Sequence, residues 1–196
     1  MALVRRGLVG VAACLLALTG CSSLGGTDDL QFIDDEGSIR IIAPEDRGDP
    51  IDFEGRTLTG DSVSSDDYRG KVLVVNKWWS GCGPCRSEMP LLAEAADELA
   101  PEAAFLGVNI RDPSADQGLA FMRSAGADYP SIWDVKGTTI LAFSREVPMV
   151  ALPATVVLDA EGRAAAVISG EIPSKQTLLD VVDEVAGGVA EEPADG

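Results

Sequence analysis

Apolar residues recur along the middle of the chain with two different periods. Residues 72–78 form a nearly continuous apolar run rich in β-branched side chains, which predicts a buried central strand. Residues 103–110 are also apolar and predict a second strand. Between them, residues 83–100 repeat apolar side chains at helical spacing. This pattern predicts an amphipathic helix packed on the sheet through one face: Leu91, Leu92, Ala95, Ala96 and Leu99.

Capping and turn residues mark further elements after this core. Ser114-Ala115-Asp116-Gln117 is typical of a capping box and predicts a helix that runs to Ser124. Residues 154–158 and 163–169 flank a polar turn and predict an antiparallel hairpin. Ser174 is expected to open a final helix that runs to about residue 186. Two strand-helix units in series indicate a parallel core.

The region before the central strand is less regular. Residues 51–59 alternate around Glu54-Gly55-Arg56 and predict a short hairpin that turns at those residues. Residues 64–69 predict a turn or a brief helix. Residues 22–50 are rich in Ser, Gly, Asp and Glu, with a short apolar patch at residues 39–42, as in a tether that leads into a domain.

The amino terminus has the pattern of an export signal. Arg5 and Arg6 precede an apolar stretch at residues 8–18, which is shorter than the ~20 residues that span a bilayer. Leu18-Thr19-Gly20-Cys21 resembles the lipobox of bacterial lipoproteins, which implies cleavage before Cys21 and lipid attachment to it. The alternative is an ordinary secretion signal with a chance cysteine.

These patterns divide the chain into four parts. We expect a lipoprotein signal peptide at residues 1–20, a tether at 21–42, one α/β domain at 43–186 and a flexible acidic tail at 187–196. The 196 residues carry a formal net charge of −17, so nucleic acid and anionic membrane surfaces would be repelled. The acidic residues form either a solvated surface or a docking face for a basic partner.

The cysteine count leaves one pair of cysteines that could react or bind a metal. The chain has four cysteines and no histidine; Cys14 would leave with the signal, and lipid would consume Cys21. A structural zinc or iron-sulfur site normally needs four ligands, and a covalent haem site needs histidine where Arg86 stands. We therefore expect no metal and no cofactor. Cys82 and Cys85 remain as a redox dithiol, an inert local disulfide or half of a shared intermolecular metal site.

The motif Cys82-Gly83-Pro84-Cys85 lies where a strand is followed by a helix. A helix amino terminus stabilises a thiolate, so Cys82 is expected to be the attacking sulfur. Cys85 lies one helical turn further on the same face and can resolve a mixed disulfide. Gly83 permits close approach of a substrate, and Pro84 fits the first helical turn because no intrahelical N–H bond is lost there.

Four short motifs together resemble one family. Asn76-Lys77-Trp78, Cys82 to Arg86, Glu88-Met89-Pro90 and Leu152-Pro153-Ala154-Thr155 are similar to the TlpA-like and ResA-like thioredoxin family, over about residues 43–186. The resemblance implies a thioredoxin fold, with a mixed β-sheet, helices on both faces and an N-terminal β-hairpin extension. It also implies that a cis Pro153 faces the disulfide and, with Leu152, shapes a groove for the substrate backbone. The alternative for Pro153 is a proline at the start of a strand.

The resemblance also implies a role for Glu88, and the sequence departs from the family pattern at three positions near the motif. Glu88 corresponds to an acidic residue that tunes proton transfer from the second cysteine; the alternative is a solvated helix glutamate. The family usually has tryptophan where Gly81 stands, a small residue where Trp79 stands and an aromatic residue at Lys77. Trp79 would then cover the site from another angle, or the changes are neutral drift around an intact motif.

The function expected from this resemblance is disulfide exchange outside the cytoplasm. The protein would be held by lipid on the extracytoplasmic face of the bacterial cell membrane and reduce protein disulfides. Apocytochrome c is the leading substrate, with electrons supplied by a membrane thiol transporter. The alternatives are an oxidase that donates its disulfide to secreted proteins and a non-enzymatic binding lipoprotein. A peroxidase is disfavoured because its cysteine has a different local signature.

Overall fold

The computed structural model describes residues 31–32, 38–100 and 102–187 of the chain. Its strands are β1 (Gln31–Phe32), β2 (Ser38–Ile41), β3 (Glu54–Arg56), β4 (Ser62–Ser64), β5 (Val72–Trp78), β6 (Ala103–Asn109), β7 (Ser131–Trp133), β8 (Ala154–Leu158) and β9 (Ala164–Ser169). Its α-helices are α1 (Gly83–Leu99), α2 (Ala115–Ser124), α3 (Thr138–Phe143) and α4 (Lys175–Gly187). The predicted signal peptide, Cys21 and the tail beyond residue 187 lie outside the described residues.

Seven of the strands form one mixed sheet in the order β1-β2-β9-β8-β5-β6-β7. Strand β5 pairs in parallel with β6, and β6 pairs in parallel with β7, whereas β8 runs antiparallel to β5. All seven residues of β5 are buried, as the apolar run predicts. The parallel core and the β8–β9 hairpin confirm the sequence-based expectations.

Helices cover both faces of this sheet. One face packs against α1 and α4, and Leu92, Leu178 and Val182 of these helices belong to one buried cluster with Val74 and Val157 of the sheet. The opposite face packs against α3 through Phe143 and against the irregular segment around Val147 and Met149. Alternate residues of β5 therefore point to different helices, as the period of a strand requires. Among the residues described, no helix is both long and apolar enough to cross a membrane.

The predicted amino-terminal hairpin is present, but its turn was placed wrongly. Glu54-Gly55-Arg56 forms strand β3, which pairs with β4, and the turn lies at residues 57–61. Gly60 adopts a φ of +92°, and Thr57 Oγ1 accepts a hydrogen bond from the Asp61 N–H. Gly55 lies against Ile132 of β7, where a Cβ would approach the isoleucine to 2.7 Å. Close packing therefore explains the glycine that the pattern assigned to a turn.

The predicted tether ended too late. Residues 38–41 form β2, which pairs antiparallel with both β1 and β9 at one edge of the sheet. Ile39, Ile41 and Ile42 are buried in the two cores, so the folded part begins before residue 43. Strand β7 and helix α3 were not predicted at all; both are short elements that follow the second strand-helix unit.

Candidate active site

The cysteine motif lies at the junction of β5 and α1. Cys82 is the residue that caps α1, and its Sγ accepts a hydrogen bond from the Cys85 N–H at 3.2 Å. The two cysteines are joined by a disulfide. Cys82 retains 7% of its exposure, whereas Cys85 is fully buried at 0%. Gly83 and Pro84 are exposed beside them, so incoming groups approach the sulfur of Cys82 first.

The disulfide packs within a cluster of buried apolar side chains. Trp78, Met89 and Phe121 are buried within it together with both cysteines. The Trp78 and Phe121 rings are 5.6 Å apart between centroids, which connects the end of β5 to helix α2. Such a close-packed base restricts the positions of the two sulfurs.

The second predicted motif lies beside this cluster. The Leu152–Pro153 peptide bond is cis, and Leu152 is half-buried against the cluster that contains Cys82 and Cys85. The carbonyl of Pro153 accepts a hydrogen bond from the Gly170 N–H at 3.1 Å, just after β9. The fold thus brings together two motifs that are separated by some seventy residues in sequence.

Glu88 is buried, and the alternative of a solvated glutamate is wrong. Only 1% of it is exposed. Its carboxylate accepts hydrogen bonds from Asn76 Nδ2 at 2.9 Å and from the Ile172 N–H at 3.1 Å. Burial raises the pKa of Glu88 to about 7, and the nearby charge of Glu171 adds to the rise. Since Glu88 follows Cys85 by three positions on α1, the carboxyl and the buried thiol share one side of the helix.

Trp79 and Gly81, the two departures next to the motif, contact each other. A Cβ built on Gly81 would overlap the Cζ3 and Cη2 atoms of the Trp79 indole. The guanidinium of Arg111 lies over the same ring, 5.5 Å from its centroid. The indole therefore contacts both the Gly81 backbone and an arginine, beside the first cysteine of the motif.

A buried carboxylate that sequence reasoning missed holds the loop before Cys82. Asp112 is 0% exposed. Its side chain accepts hydrogen bonds from the Ser80 N–H at 3.1 Å, the Ser80 hydroxyl at 2.6 Å, Asn109 Nδ2 at 2.6 Å and Gln117 Nε2 at 3.2 Å. The signal for it was its position just after β6, because the carboxyl ends of neighbouring parallel strands lie at one edge of a sheet.

The same network alters the predicted capping box. Ser114 caps α2 as predicted, and its Oγ accepts from the Gln117 N–H at 3.3 Å. The Gln117 side chain does not turn back to the cap; it donates to the Ser80 hydroxyl at 3.0 Å. Helix α2 is thereby connected to the active-site loop.

Lys77 connects β5 to the loop before Pro153. It is only 5% exposed, and its Nζ donates a hydrogen bond to the carbonyl oxygen of Met149. Burial lowers the pKa of its ammonium group. The third departure from the family pattern thus positions the segment that leads to Leu152 and Pro153.

Arg86 directly follows Cys85 and is held against the loop before the motif. Its guanidinium donates to the Ser80 carbonyl at 3.1 Å and lies over the Phe121 ring. A cation close to a cysteine stabilises its thiolate. Within the described part of the chain, no three His, Cys, Asp or Glu side chains cluster as a metal site.

Comparison with known proteins agrees with this geometry. Residues 48–167 match the AhpC/TSA family. Over 127 residues the chain is 30% identical to the thioredoxin-like protein YneN of Bacillus subtilis, which covers 64% of this chain and 72% of that protein. It is 28% identical over 169 residues to the thiol-disulfide oxidoreductase ResA of Geobacillus kaustophilus, covering 85% of this chain and 89% of that one.

A solved structure shows the same fold. A secreted thiol-disulfide isomerase from Corynebacterium glutamicum superposes with a TM-score of 0.67 and 32% identity, over 80% of this chain and 96% of the other. The fold, the disulfide at the amino terminus of α1 and these likenesses are those of a thiol-disulfide oxidoreductase. The chain belongs to the AhpC/TSA family and, within it, to the TlpA-like and ResA-like thioredoxin proteins.

Proposed function

We propose that the protein is a membrane-anchored reductase of protein disulfides outside the cytoplasm, with Cys82 as the attacking residue. One observation carries the assignment of roles: Cys82, at the start of α1, retains 7% of its exposure, and Cys85 retains none. A substrate disulfide therefore reaches Cys82 before Cys85. Backbone N–H groups at the start of α1 stabilise the thiolate of Cys82.

The reaction proceeds in two exchanges. The Cys82 thiolate attacks one sulfur of the substrate disulfide, that bond breaks, and the second substrate sulfur leaves as a thiolate that takes up a proton. The Cys85 thiolate then attacks the Cys82 sulfur, which restores the Cys82–Cys85 disulfide and releases the first substrate sulfur. Two electrons pass to the substrate, and a dithiol donor must return two electrons to the protein.

Glu88 accepts the proton of Cys85 in the second exchange. A carboxyl group with a pKa of about 7 exchanges protons readily at neutral pH, which an ordinary glutamate does not. Leu152 and Pro153 bind the substrate backbone beside the disulfide, and Gly83, Pro84 and Trp79 line the approach to Cys82. Leu152 and Trp79 pack against the buried cluster that contains both cysteines, and Gly83 and Pro84 lie within the motif, which supports these roles.

The protein works at the outer face of the bacterial cell membrane, with residues 1–20 removed and Cys21 lipidated. The lipobox-like ending and the secreted relative support this location. A single acyl chain anchors only weakly, so stable attachment needs more than one on Cys21. Apocytochrome c is the proposed substrate, and a membrane thiol transporter is the proposed electron donor.

Insulin-disulfide reduction by the purified, reduced protein tests the activity. We expect the wild type to precipitate insulin and Cys82→Ser to be inactive. Cys85→Ser should instead accumulate a mixed disulfide with the substrate, because Cys82 can attack but nothing resolves the product. If wild type and Cys82→Ser behave alike, the protein is a binding lipoprotein and not an enzyme.

The direction of electron flow needs a separate measurement. The equilibrium potential of the Cys82–Cys85 couple against glutathione separates a reductase from an oxidase, since about 30 mV corresponds to ~1.4 kcal/mol for a two-electron couple. A potential close to that of strong oxidants would favour the donating role. Reduction of an oxidised Cys-X-X-Cys-His peptide tests the cytochrome substrate, and membrane fractionation of Cys21→Ala tests the anchor.

A further inference from the structure

We propose that Trp79, Arg111 and Trp133 form an extension of the substrate site on one side of the disulfide. This surface, here called the Trp-Arg strip, takes polypeptides that carry acidic and apolar side chains next to their disulfide. The inference rests on the proposed function, because a docking surface beside Cys82 matters only if the protein exchanges disulfides with other proteins.

The strip is continuous with the disulfide. The Trp79 indole contacts Gly81, which precedes Cys82 in the chain, and the Arg111 guanidinium lies over that indole, 5.5 Å from its centroid. Trp133 Nε1 donates to the carbonyl oxygen of Asp112 at 3.0 Å, immediately after Arg111. A continuous series of contacts therefore connects the first cysteine of the motif to the end of β7.

Along this surface the carboxylates are buried and the cations are exposed, although the chain as a whole is acidic. In residues 79–90, 109–115 and 131–136 the carboxylates are Glu88, Asp112 and Asp134, and all three are buried. Each accepts hydrogen bonds from at least two donors, so none presents a charge to a partner.

The cations of the same segments are on the surface. Arg86, Arg111 and Lys136 are exposed and, among the described residues, form no salt bridge. The next exposed carboxylate along the chain is Asp116, in the first turn of α2. In a protein with 32 acidic and 15 basic residues, these three segments thus present only cations at the surface. Acidic side chains on a partner complement these cations.

The residue types on the strip suit binding. Trp and Arg are enriched among the residues that dominate interface energies. Trp133 is 38% exposed, and its bond to Asp112 fixes the indole before any partner arrives. An open groove of about 850 Å³ begins at Trp133 and is also lined by Glu54 and Asp67. The negative charges of these two residues mark the limit of the cationic surface.

The net charge of the protein opposes this preference at long range. The protein has a formal net charge of −17, which repels an acidic peptide. The attraction by Arg111 extends only about 8–10 Å at moderate salt. A useful experiment must therefore compare variants with the same net charge. Lys71 offers the matched control, because it is exposed and precedes β5, at the opposite end of that strand from Cys82.

The test uses two disulfide-bonded peptides that differ only in flanking residues, glutamates in one and lysines in the other. We expect Arg111→Glu to lower the ratio of kcat/KM for the acidic peptide to that for the basic peptide by roughly tenfold at low salt. Lys71→Glu, which carries the same charge change, should alter the ratio by less than about twofold because it acts only through the screened field. Trp133→Ala should lower kcat/KM for both peptides without changing the ratio.

The equilibrium potential and the reduction of the protein by dithiothreitol should stay unchanged in Arg111→Glu, which excludes a damaged dithiol. If that variant does not fold, Arg111→Gln against Lys71→Gln gives the same comparison with half the charge change. Equal shifts of the ratio in the Arg111 and Lys71 variants would overturn the strip alone. A wild type that reduces neither peptide would instead overturn the proposed reductase function.

Discussion

The indole of Trp79 fills the space that a side chain at residue 81 would need. The overlap of a Gly81 Cβ with two ring carbons means that the two positions are coupled and not independently variable. The family usually has tryptophan directly before the first cysteine; here an indole reaches the same neighbourhood from two residues earlier. This contact favours a rearranged cover for the site over neutral drift.

Replacing Gly81 with alanine should therefore displace the indole. The φ of Gly81 lies outside the left-handed region, so the backbone accepts alanine and the conflict is with the ring. We expect Gly81→Ala to lower the free energy of unfolding by about 1–2 kcal/mol. In a Trp79→Ala background the same change should cost less than about 0.5 kcal/mol. Urea unfolding of the four proteins of this double-mutant cycle measures the coupling; additive effects would contradict it.

Glu88 should make stability fall as pH rises. Burial raises its pKa from 4.5 to about 7, so the folded protein still holds the proton after the unfolded chain has released it. Its contribution is fully present below about pH 4.5 and is lost by pH 8, a decline of roughly 3 kcal/mol in the free energy of unfolding. Glu88→Gln keeps a neutral group and should flatten this decline.

The readout is the difference in unfolding free energy between Glu88→Gln and wild type across pH 4.5 to 8, from urea titrations. Any constant loss of a hydrogen bond shifts the whole curve and leaves its slope intact. Asp97→Asn, an exposed change on the same helix, should follow the wild-type slope. A parallel course of the Glu88→Gln and wild-type curves would show that Glu88 titrates normally.

Asp112 should be among the most sensitive side chains near the site. Removing its carboxylate in Asp112→Ala leaves the buried donors of Ser80 and Asn109 without their acceptor. We expect a loss of about 3 kcal/mol or more in the free energy of unfolding. Asp128→Ala, at an exposed position, should cost less than about 0.5 kcal/mol. A comparable effect of the two substitutions in guanidinium unfolding would refute a structural role for the network.

Lys77 should restrain the loop that leads to Pro153. Lys77→Met keeps the length of the side chain but removes the bond to the Met149 carbonyl, so we expect cleavage within residues 148–152 to be several-fold faster in limited proteolysis. Because burial lowers the pKa of Lys77, folding favours its neutral form, and the wild type should gain stability relative to the variant as pH rises towards 10.5. Unchanged cleavage would mean that the loop is held by its apolar contacts alone.

Elements with strong local signals were predicted from sequence, and those defined by distant partners were not. The apolar run of β5 and the helical repeat of α1 carry their own periodicity, so their bounds were close. Ile39 and Ile41 belong to a strand only because β9 offers an edge, some 125 residues later. A four-residue apolar patch next to polar linker residues contains no information about that pairing.

The same distinction applies to the site. Cys82 and Cys85 lie three positions apart in sequence, and this spacing alone indicated dithiol chemistry. The burial of Glu88 could not be predicted, because its partner Ile172 lies 84 residues later, just before α4. Asp112 and Trp133 follow two different strands and meet the Ser80 loop only in the folded sheet. Sequence reasoning identified the two cysteines that form the disulfide and missed the side chains that orient the loop before them.

The placement of the tryptophans gives the protein a built-in optical probe of its redox state. The chain has three tryptophans: Trp78 lies beneath the disulfide, Trp79 beside it, and Trp133 is bonded to the loop that braces it. A disulfide quenches a nearby excited indole more strongly than two thiols do. Intrinsic fluorescence should therefore follow oxidation and reduction in real time, without a label.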